Sequence, residues 1–140
     1  MSDKNALARA AAEAMWKEDR ASKWLGMRLE EVRPGYARMS MRIVENMVNG
    51  HDLCHGGFIF TLADSTFAFA CNSHNQRAVA AGCAIEFLAP AHLGDVLVAE
   101  GVEKALAGRS GVYDMRVTNQ KGELIALFRG KSATIKGTLA

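Results

Sequence analysis

The sequence predicts an α+β fold in which an antiparallel sheet is wrapped around one long central helix. Residues 57–72 carry apolar side chains at helical spacing on every side, and a helix that is apolar all round is normally enclosed by protein. Four strand-like segments follow with no helical segment between them, which excludes parallel crossover connections. The chain has 140 residues, 49% of them hydrophobic, which is enough for one core. We therefore expect a single domain over residues 1–140.

The spacing of apolar and polar residues predicts where the other helices and strands lie. Residues 6–16 are rich in alanine, a strong helix former, and predict a helix within an N-terminal extension over residues 1–24. Residues 36–43 alternate, with Ala37, Met39, Met41 and Ile43 on one side, and predict a half-buried strand. The four later strands are predicted at 79–88, 95–104, 111–119 and 124–135. The predicted order is one helix, two strands, the buried helix and four strands.

The composition excludes several classes of protein. Lysine and arginine number 17, and aspartate and glutamate 15, scattered along the chain, so no nucleic acid partner is expected. Charged residues interrupt every apolar stretch well before the roughly 18 residues of a membrane span, so no membrane partner is expected. The first 20 residues lack the pattern of an export signal. Because the three cysteines are widely spaced and odd in number, we expect no disulfide framework and a cytoplasmic setting.

Asp64 is a carboxylate inside the predicted central helix. Burying an ionised carboxylate among apolar side chains costs several kcal/mol unless it is hydrogen-bonded or faces a wet cavity. Packing alone would favour an apolar residue here, so Asp64 is a candidate catalytic group. A capping role or a place at a subunit contact would also account for it, and these interpretations stay open.

Gly56 and Gly57 stand where this helix is expected to begin. A helix start presents free backbone N–H groups and the positive end of the helix dipole, which together favour an oxyanion. Two residues without side chains would let a carbonyl group approach the backbone closely. A plain tight turn before the helix is the alternative.

A metal site is not indicated. His51, Cys54 and His55 are residue types that bind metals, and they lie close together in the sequence. No fourth ligand accompanies them at a recognisable spacing. The sequence therefore predicts no metal ligand.

Several short motifs are spread over nearly the whole chain. They are Asn-Gly-His at 49–51, Cys-His-Gly-Gly at 54–57, Leu-Ala-Asp at 62–64, and the segments 67–73, 87–90, 94–95, 111–114 and 126–132. As a set these motifs resemble the hotdog-fold thioesterases, and specifically the phenylacetic acid degradation (PaaI-type) branch. The resemblance implies the hotdog fold and hydrolysis of acyl-CoA thioesters.

The resemblance also implies catalytic roles. The backbone N–H of Gly56 would polarise the thioester carbonyl, and Asp64 from the partner subunit would activate water or attack directly. Asn49 would help to hold the water, and His55 would steady the glycine turn and the end of the substrate. Some relatives have an assisting Ser or Thr on the following strand, where this chain has Ala80 and its apolar neighbours. This difference argues against a hydroxyl-assisted mechanism.

Binding of CoA, which is part of the substrate, is expected at Gly57, Arg109, Arg129 and Lys131. By resemblance, loops and strand ends in these regions meet the CoA phosphates, for which arginine and lysine are suitable donors. Ordinary surface charge is the alternative for the three basic residues. No separate cofactor is expected.

The sequence thus predicts a thioesterase that acts on phenylacetyl-CoA or ring-hydroxylated aryl-acetyl-CoA. Three phenylalanines and three alanines of the central helix would either line an aryl pocket or pack in the core: Phe58, Phe67, Phe69, Ala63, Ala68 and Ala70. Activity on medium or long aliphatic acyl groups and a non-catalytic acyl-CoA-binding module are the alternatives. A hotdog hydratase is disfavoured because Phe69 stands where it needs a histidine. We expect a homo-oligomer, a dimer of hotdogs assembled into a tetramer.

Overall fold

The computed structural model describes residues 3–140, so the first two residues of the predicted extension lie outside it. The helices are α1 (Asp3–Glu18), α2 (Arg20–Trp24) and α3 (Gly56–Cys71), with a short 3-10 turn at Glu45–Met47. The strands are β1 (Arg28–Arg33), β2 (Tyr36–Arg42), β3 (Ala78–Phe87), β4 (Val96–Ala107), β5 (Ser110–Thr118) and β6 (Leu124–Thr134). The two strands, one buried helix and four strands of the prediction are confirmed in this order, and α2 is an additional element.

The six strands form one antiparallel sheet in the order β1-β2-β4-β5-β6-β3. The sheet curls around α3, as predicted. On β2 the inward side chains are the predicted ones, and Ala37, Met39 and Met41 are almost completely buried. The fold class is therefore confirmed.

The core lies between α3 and the sheet. The Phe67 ring packs against Tyr113 and Phe128, with ring centroids 5.7 and 5.8 Å apart. Gly130 of β6 permits this approach, because a Cβ there would lie 2.8 Å from the Phe67 ring. The predicted enclosure of α3 is thus explained by side chains that interlock with the sheet.

The two N-terminal helices cover α3 and β1. The alanines of α1 provide a small, flat face, on which Ala8 and Ala11 are fully buried. The Ser22 hydroxyl of α2 lies 2.7 Å from Asp19 Oδ2 and 2.9 Å from the Ser65 hydroxyl. Because a carboxylate only accepts, Ser22 donates to Asp19 and Ser65 donates to Ser22. The extension is thereby hydrogen-bonded to the residue that follows Asp64.

Strand β3 is an edge strand with an open outer side. Its ten residues pair with β6 on one side only, and most of its side chains are exposed. Val79 and Phe87 are 47% and 52% exposed. A long, apolar, unpaired edge is a template for pairing with another strand.

Among residues 3–140, no helix combines the length and the apolar character needed to cross a membrane.

Candidate active site

The loop before α3 is fixed by short hydrogen bonds. Asn49 Oδ1 accepts the backbone N–H groups of His51 and Leu53 at 2.9 and 3.2 Å. Asp52 adopts a φ of 59°, a left-handed conformation that Asp tolerates better than most residues. The end of the loop is held to the 3-10 turn, because the His55 N–H donates to the Met47 carbonyl at 2.7 Å. This loop sets the place where α3 begins, and the amide Nδ2 of Asn49 has no acceptor among residues 3–140.

The start of α3 carries one uncommitted N–H group. His55 is the N-cap, and its Nδ1 accepts the Gly57 N–H at 3.1 Å. Its carbonyl accepts the Phe58 N–H at 3.0 Å. The Gly56 N–H has no acceptor among the described residues and lies at the positive end of the helix dipole. Of the two glycines, Gly56 is therefore the one that can donate to a bound oxygen.

Asp64 is half-buried in the middle of α3, with no hydrogen-bond or ion-pair partner between residues 3 and 140. Burial raises the pKa of its carboxyl above the ordinary value of 3.8. The pKa of the Cys83 thiol on β3 is raised, mainly by burial and to a lesser extent by the negative charge of the nearby Asp64. The Asp64 carboxylate therefore lies on the side of α3 that packs against the edge strand β3.

Gly56 and Asp64 of one chain are too far apart to act on one small group. Eight residues separate them, which is about 12 Å along a helix. An oxyanion donor must lie about 3 Å from the carbonyl oxygen, and a base about 3 Å from the water that attacks the same carbonyl. Within a single chain, the two groups cannot meet this condition.

A cavity of about 440 Å³ lies beside the start of α3. It is lined by residues from the loop, the helix and the end of β3: Cys54, Gly56, Ile59, Phe87, Leu88, Ala89, Pro90 and Ala91. The Phe87 ring packs on Gly56. It lies so close that a Cβ on residue 56 would be only 2.9 Å from the ring tip. In the sequence, Phe87 stands out only as part of the 87–90 motif. A large aromatic residue at the end of an apolar strand is the signal by which it could have been found.

Of the two roles expected for the phenylalanines and alanines of α3, aryl pocket or core, most of these residues have the core role. Phe67 and Phe69 are each 1% exposed, and Ala63 and Ala70 are fully buried. These side chains face the sheet or the N-terminal helices, so they belong to the core. Phe58 is half-buried and packs edge-on against the His55 ring at 6.3 Å.

The predicted phosphate-binding residues lie outside the wrapped sheet or in a turn. On β6, Phe128 and Gly130 face α3, so Arg129 and Lys131 point away from it. Arg129 forms a two-pronged ion pair with Asp114 at 2.6 and 2.8 Å, which lowers the pKa of that carboxyl. Arg109 lies in the turn between β4 and β5. One chain does not bring these cations together with Gly56 and Asp64.

In the part of the chain that the structure describes, no three histidine, cysteine, aspartate or glutamate side chains are grouped to hold an ion.

Comparison with known proteins identifies the family. The family model described as the thioesterase superfamily matches residues 51–126, more than half of the 140 residues. The chain belongs to the thioesterase superfamily. It is a thioester hydrolase of the hotdog fold.

This thioesterase has near relatives among characterised sequences and structures. It is 44% identical over 128 residues to the acyl-coenzyme A thioesterase PaaI of Escherichia coli (strain K12), covering 91% of each chain. The structure of the E. coli PaaI protein, from the phenylacetic acid degradation operon, matches 97% of this chain and 99% of its own, with a TM-score of 0.95 and 42% identity. A structure of smu.793 from Streptococcus mutans bound to acetyl CoA matches 80% of this chain and 90% of its own, with a TM-score of 0.75 and 26% identity.

Proposed function

We propose that this thioesterase hydrolyses aryl-acetyl-CoA thioesters in a site shared by two chains. Gly56 of one protomer binds the thioester oxygen, and the partner's Asp64 provides the carboxylate. The observation that carries the proposal is the Gly56 N–H, which is uncommitted at the positive end of α3 and beside a cavity lined by uncharged side chains. A thioester is already activated, so a held water, a base and an oxyanion donor suffice.

The open edge of β3 supports the two-chain site. Phe87, at the end of β3, lies beside Gly56, at the start of α3. Asn72, after the end of α3, donates a hydrogen bond to the carbonyl of Ala78, at the start of β3. The helix and the strand therefore run in opposite directions. Four strand residues span about 13 Å, which matches the helical distance from Gly56 to Asp64 and places Cys83 level with Asp64. If two β3 strands pair antiparallel about an axis near Ile85, each Asp64 comes level with the partner's Gly56.

The chemistry follows from this placement. The thioester carbonyl oxygen accepts the Gly56 N–H, and the carboxylate of the partner's Asp64 takes a proton from water. The water oxygen attacks the carbonyl carbon, and the carbonyl electrons move to the oxygen at Gly56. Collapse of this intermediate breaks the C–S bond and expels the CoA thiolate, which takes the proton held by Asp64. The CoA thiol and the free acid leave, and Asp64 is ionised again. The free Nδ2 of Asn49 can donate to the water oxygen, and His55 keeps the Gly57 N–H occupied.

Direct attack by Asp64 is the second route to the same products. It breaks the C–S bond, expels the CoA thiolate and forms an anhydride between Asp64 and the acyl group. Water then cleaves the anhydride, and a proton from that water completes the CoA thiol. Single turnover in ¹⁸O water distinguishes the routes, because hydrolysis of the anhydride at its aspartyl carbon leaves label in the enzyme. Label only in the released acid supports the water route.

The substrate class rests on relatives and on the cavity. The relatives are an acyl-CoA thioesterase of a phenylacetic acid degradation operon and a protein that binds acetyl CoA. The cavity beside Gly56 has no charged side chain in its lining, which suits phenylacetyl or hydroxyphenylacetyl groups. Gly57 lies along the path of the thioester arm. Arg109 and Lys131 are the cations for the CoA phosphates, and Arg129 contributes less because Asp114 already holds its guanidinium.

We also propose the domain organisation, the cellular location and the oligomeric state of the enzyme. Residues 1–140 act as one domain with a helical extension over 1–24, and the enzyme works in the cytoplasm without a metal or separate cofactor. Dimers form through β3. They pair into tetramers through the outer face of the sheet, where Val102 and Leu127 are 41% and 47% exposed.

Subunit complementation tests the shared site. Asp64→Asn removes the carboxylate, and Gly56→Pro removes the donor at a helix position that proline favours. Each variant alone should be nearly inactive. In a refolded equal mixture, half of the dimers are mixed and each has one intact site, so about one quarter of wild-type activity should return. A mixture that forms mixed dimers yet stays inactive would contradict the shared site.

A further inference from the structure

Phe87 is the aromatic residue in direct contact with the start of the central helix. It ends β3, and its ring tip would lie 2.9 Å from a Cβ on Gly56. In the single chain the side chain is still 52% exposed, so one part of the ring packs on the glycine and another part is left for contact with a partner chain or a bound group. A bound acyl group at Gly56 would therefore meet the ring.

The side chains that line the cavity next to this ring are uncharged and mostly apolar. Its other side-chain contributors are Cys54, Ile59, Leu88 and the small residues 89–91. The Cys54 thiol donates to the His55 carbonyl, and burial raises its pKa to about 11, so the thiol is uncharged at neutral pH. At about 440 Å³ the cavity is in the range of small-molecule sites. Its walls accept an aryl or alkyl group and disfavour a charged one.

We propose that Phe87 selects the acyl group, because its ring forms the wall beside Gly56 on which an aryl ring of the substrate packs. This inference rests on the proposed function and deepens it. Aromatic rings prefer edge-to-face or offset contacts with other rings, a gain that an alkyl chain does not share. The pairing of β3 strands about Ile85 also brings the partner's Asp64 close to Phe87. The Phe87 ring then borders the space between Gly56 and the partner's Asp64. The acyl group must occupy this space.

The test compares two thioesters in Phe87 variants. Thiol release is measured for phenylacetyl-CoA and hexanoyl-CoA with wild type, Phe87→Leu and Phe87→Tyr. Phe87→Leu should lower kcat/KM for phenylacetyl-CoA by about 5–10-fold and leave hexanoyl-CoA within about twofold. Phe87→Tyr keeps the ring and should keep the preference. Leu7→Ala removes a similarly exposed apolar side chain from α1 and should change neither rate.

The outcomes separate the inference from the proposed function. Equal losses with both thioesters would make Phe87 a support for Gly56 and overturn its selective role, as would an unchanged ratio in Phe87→Leu. Loss of the preference in Phe87→Tyr would also overturn it. Wild type that cleaves neither thioester would overturn the proposed function itself. Thermal unfolding of each variant checks that the fold is retained, and Phe87→Tyr keeps the test decisive if Phe87→Leu is unstable.

Discussion

The Nδ1 atom of His55 accepts the N–H of Gly57 across 3.1 Å, which leaves Gly56 as the uncommitted donor of the helix start. A histidine is an unusual N-cap, since Ser, Thr, Asp and Asn are preferred. The imidazole accepts at Nδ1 only while that nitrogen carries no proton. The cap therefore fixes both the tautomer of His55 and the direction of the first N–H groups.

Replacing His55 separates its capping role from any contact with substrate. His55→Ala should lower the free energy of unfolding by about 1 kcal/mol, because the Gly57 N–H loses its acceptor. His55→Asn restores an acceptor and should recover that stability. Urea unfolding measures both. If His55→Asn is as stable as wild type but still slow in kcat, His55 also contacts the substrate. Equal stability of the alanine variant and wild type would show that the cap contributes little.

A pair of substitutions at Gly56 isolates its N–H. Gly56→Ala and Gly56→Pro both add a Cβ next to the Phe87 ring, but only proline removes the donor. The backbone of His55, at φ −62° and ψ 133°, is the extended conformation that a following proline requires. We expect kcat to fall by about 10²–10³ more in the proline variant. Similar kcat values for the two variants would rule out Gly56 as the oxyanion donor.

The raised pKa of Asp64 has opposite effects on activity and stability. As a base, Asp64 must be ionised, so kcat/KM should rise with pH through a midpoint above the ordinary 3.8. Between the unfolded and folded pKa values the folded protein binds more protons, so the free energy of unfolding falls as pH rises through that interval. Asp64→Asn should remove this fall, match or exceed wild-type stability above the interval, and lose most hydrolysis. Urea unfolding from pH 3 to 7 and a pH–rate profile provide the measurements. A destabilised Asp64→Asn at neutral pH would indicate a structural role.

Lys131 is the clearest test of phosphate binding. Lys131→Gln should raise KM for phenylacetyl-CoA by about tenfold, because a charged hydrogen bond to phosphate is lost. KM for phenylacetyl-pantetheine, which has no phosphate, should not change. Lys121→Gln, in the turn before β6, is the matched control. The same KM increase with both substrates would assign Lys131 to something other than the phosphates.

Much of the fold was predictable because periodicity reports burial. The strand over 36–43 and the four later strands lie within three residues of their predicted ends. β1 had no predicted range because an irregularity between Leu29 and Glu31 interrupts its alternation. The short helix α2 depends on the cap that Asp19 supplies, a local feature that the periodicity of 6–16 does not include.

The chemistry of the candidate site was easier to predict than its geometry. A carboxylate in an apolar helix and paired glycines at its start made Asp64, Gly56 and Gly57 candidates from residue types, and the family resemblance singled out Gly56. The spacing of phenylalanines could not show which side of α3 packs against the sheet, so the choice between pocket and core stayed open for Phe67 and Phe69. Phe87 was missed because its contact with Gly56 joins residues far apart in sequence, and only folding brings β3 beside the start of α3.

A site shared across the open edge of β3 would make catalysis depend on protein concentration. If each site needs two copies, dilution below the dissociation constant of the dimer removes the sites without unfolding a single chain. Specific activity would then fall with dilution and return on concentration, and substrate bound across the two copies would hold them together. Synthesis of more protein would raise the activity of each molecule as well as the number of molecules.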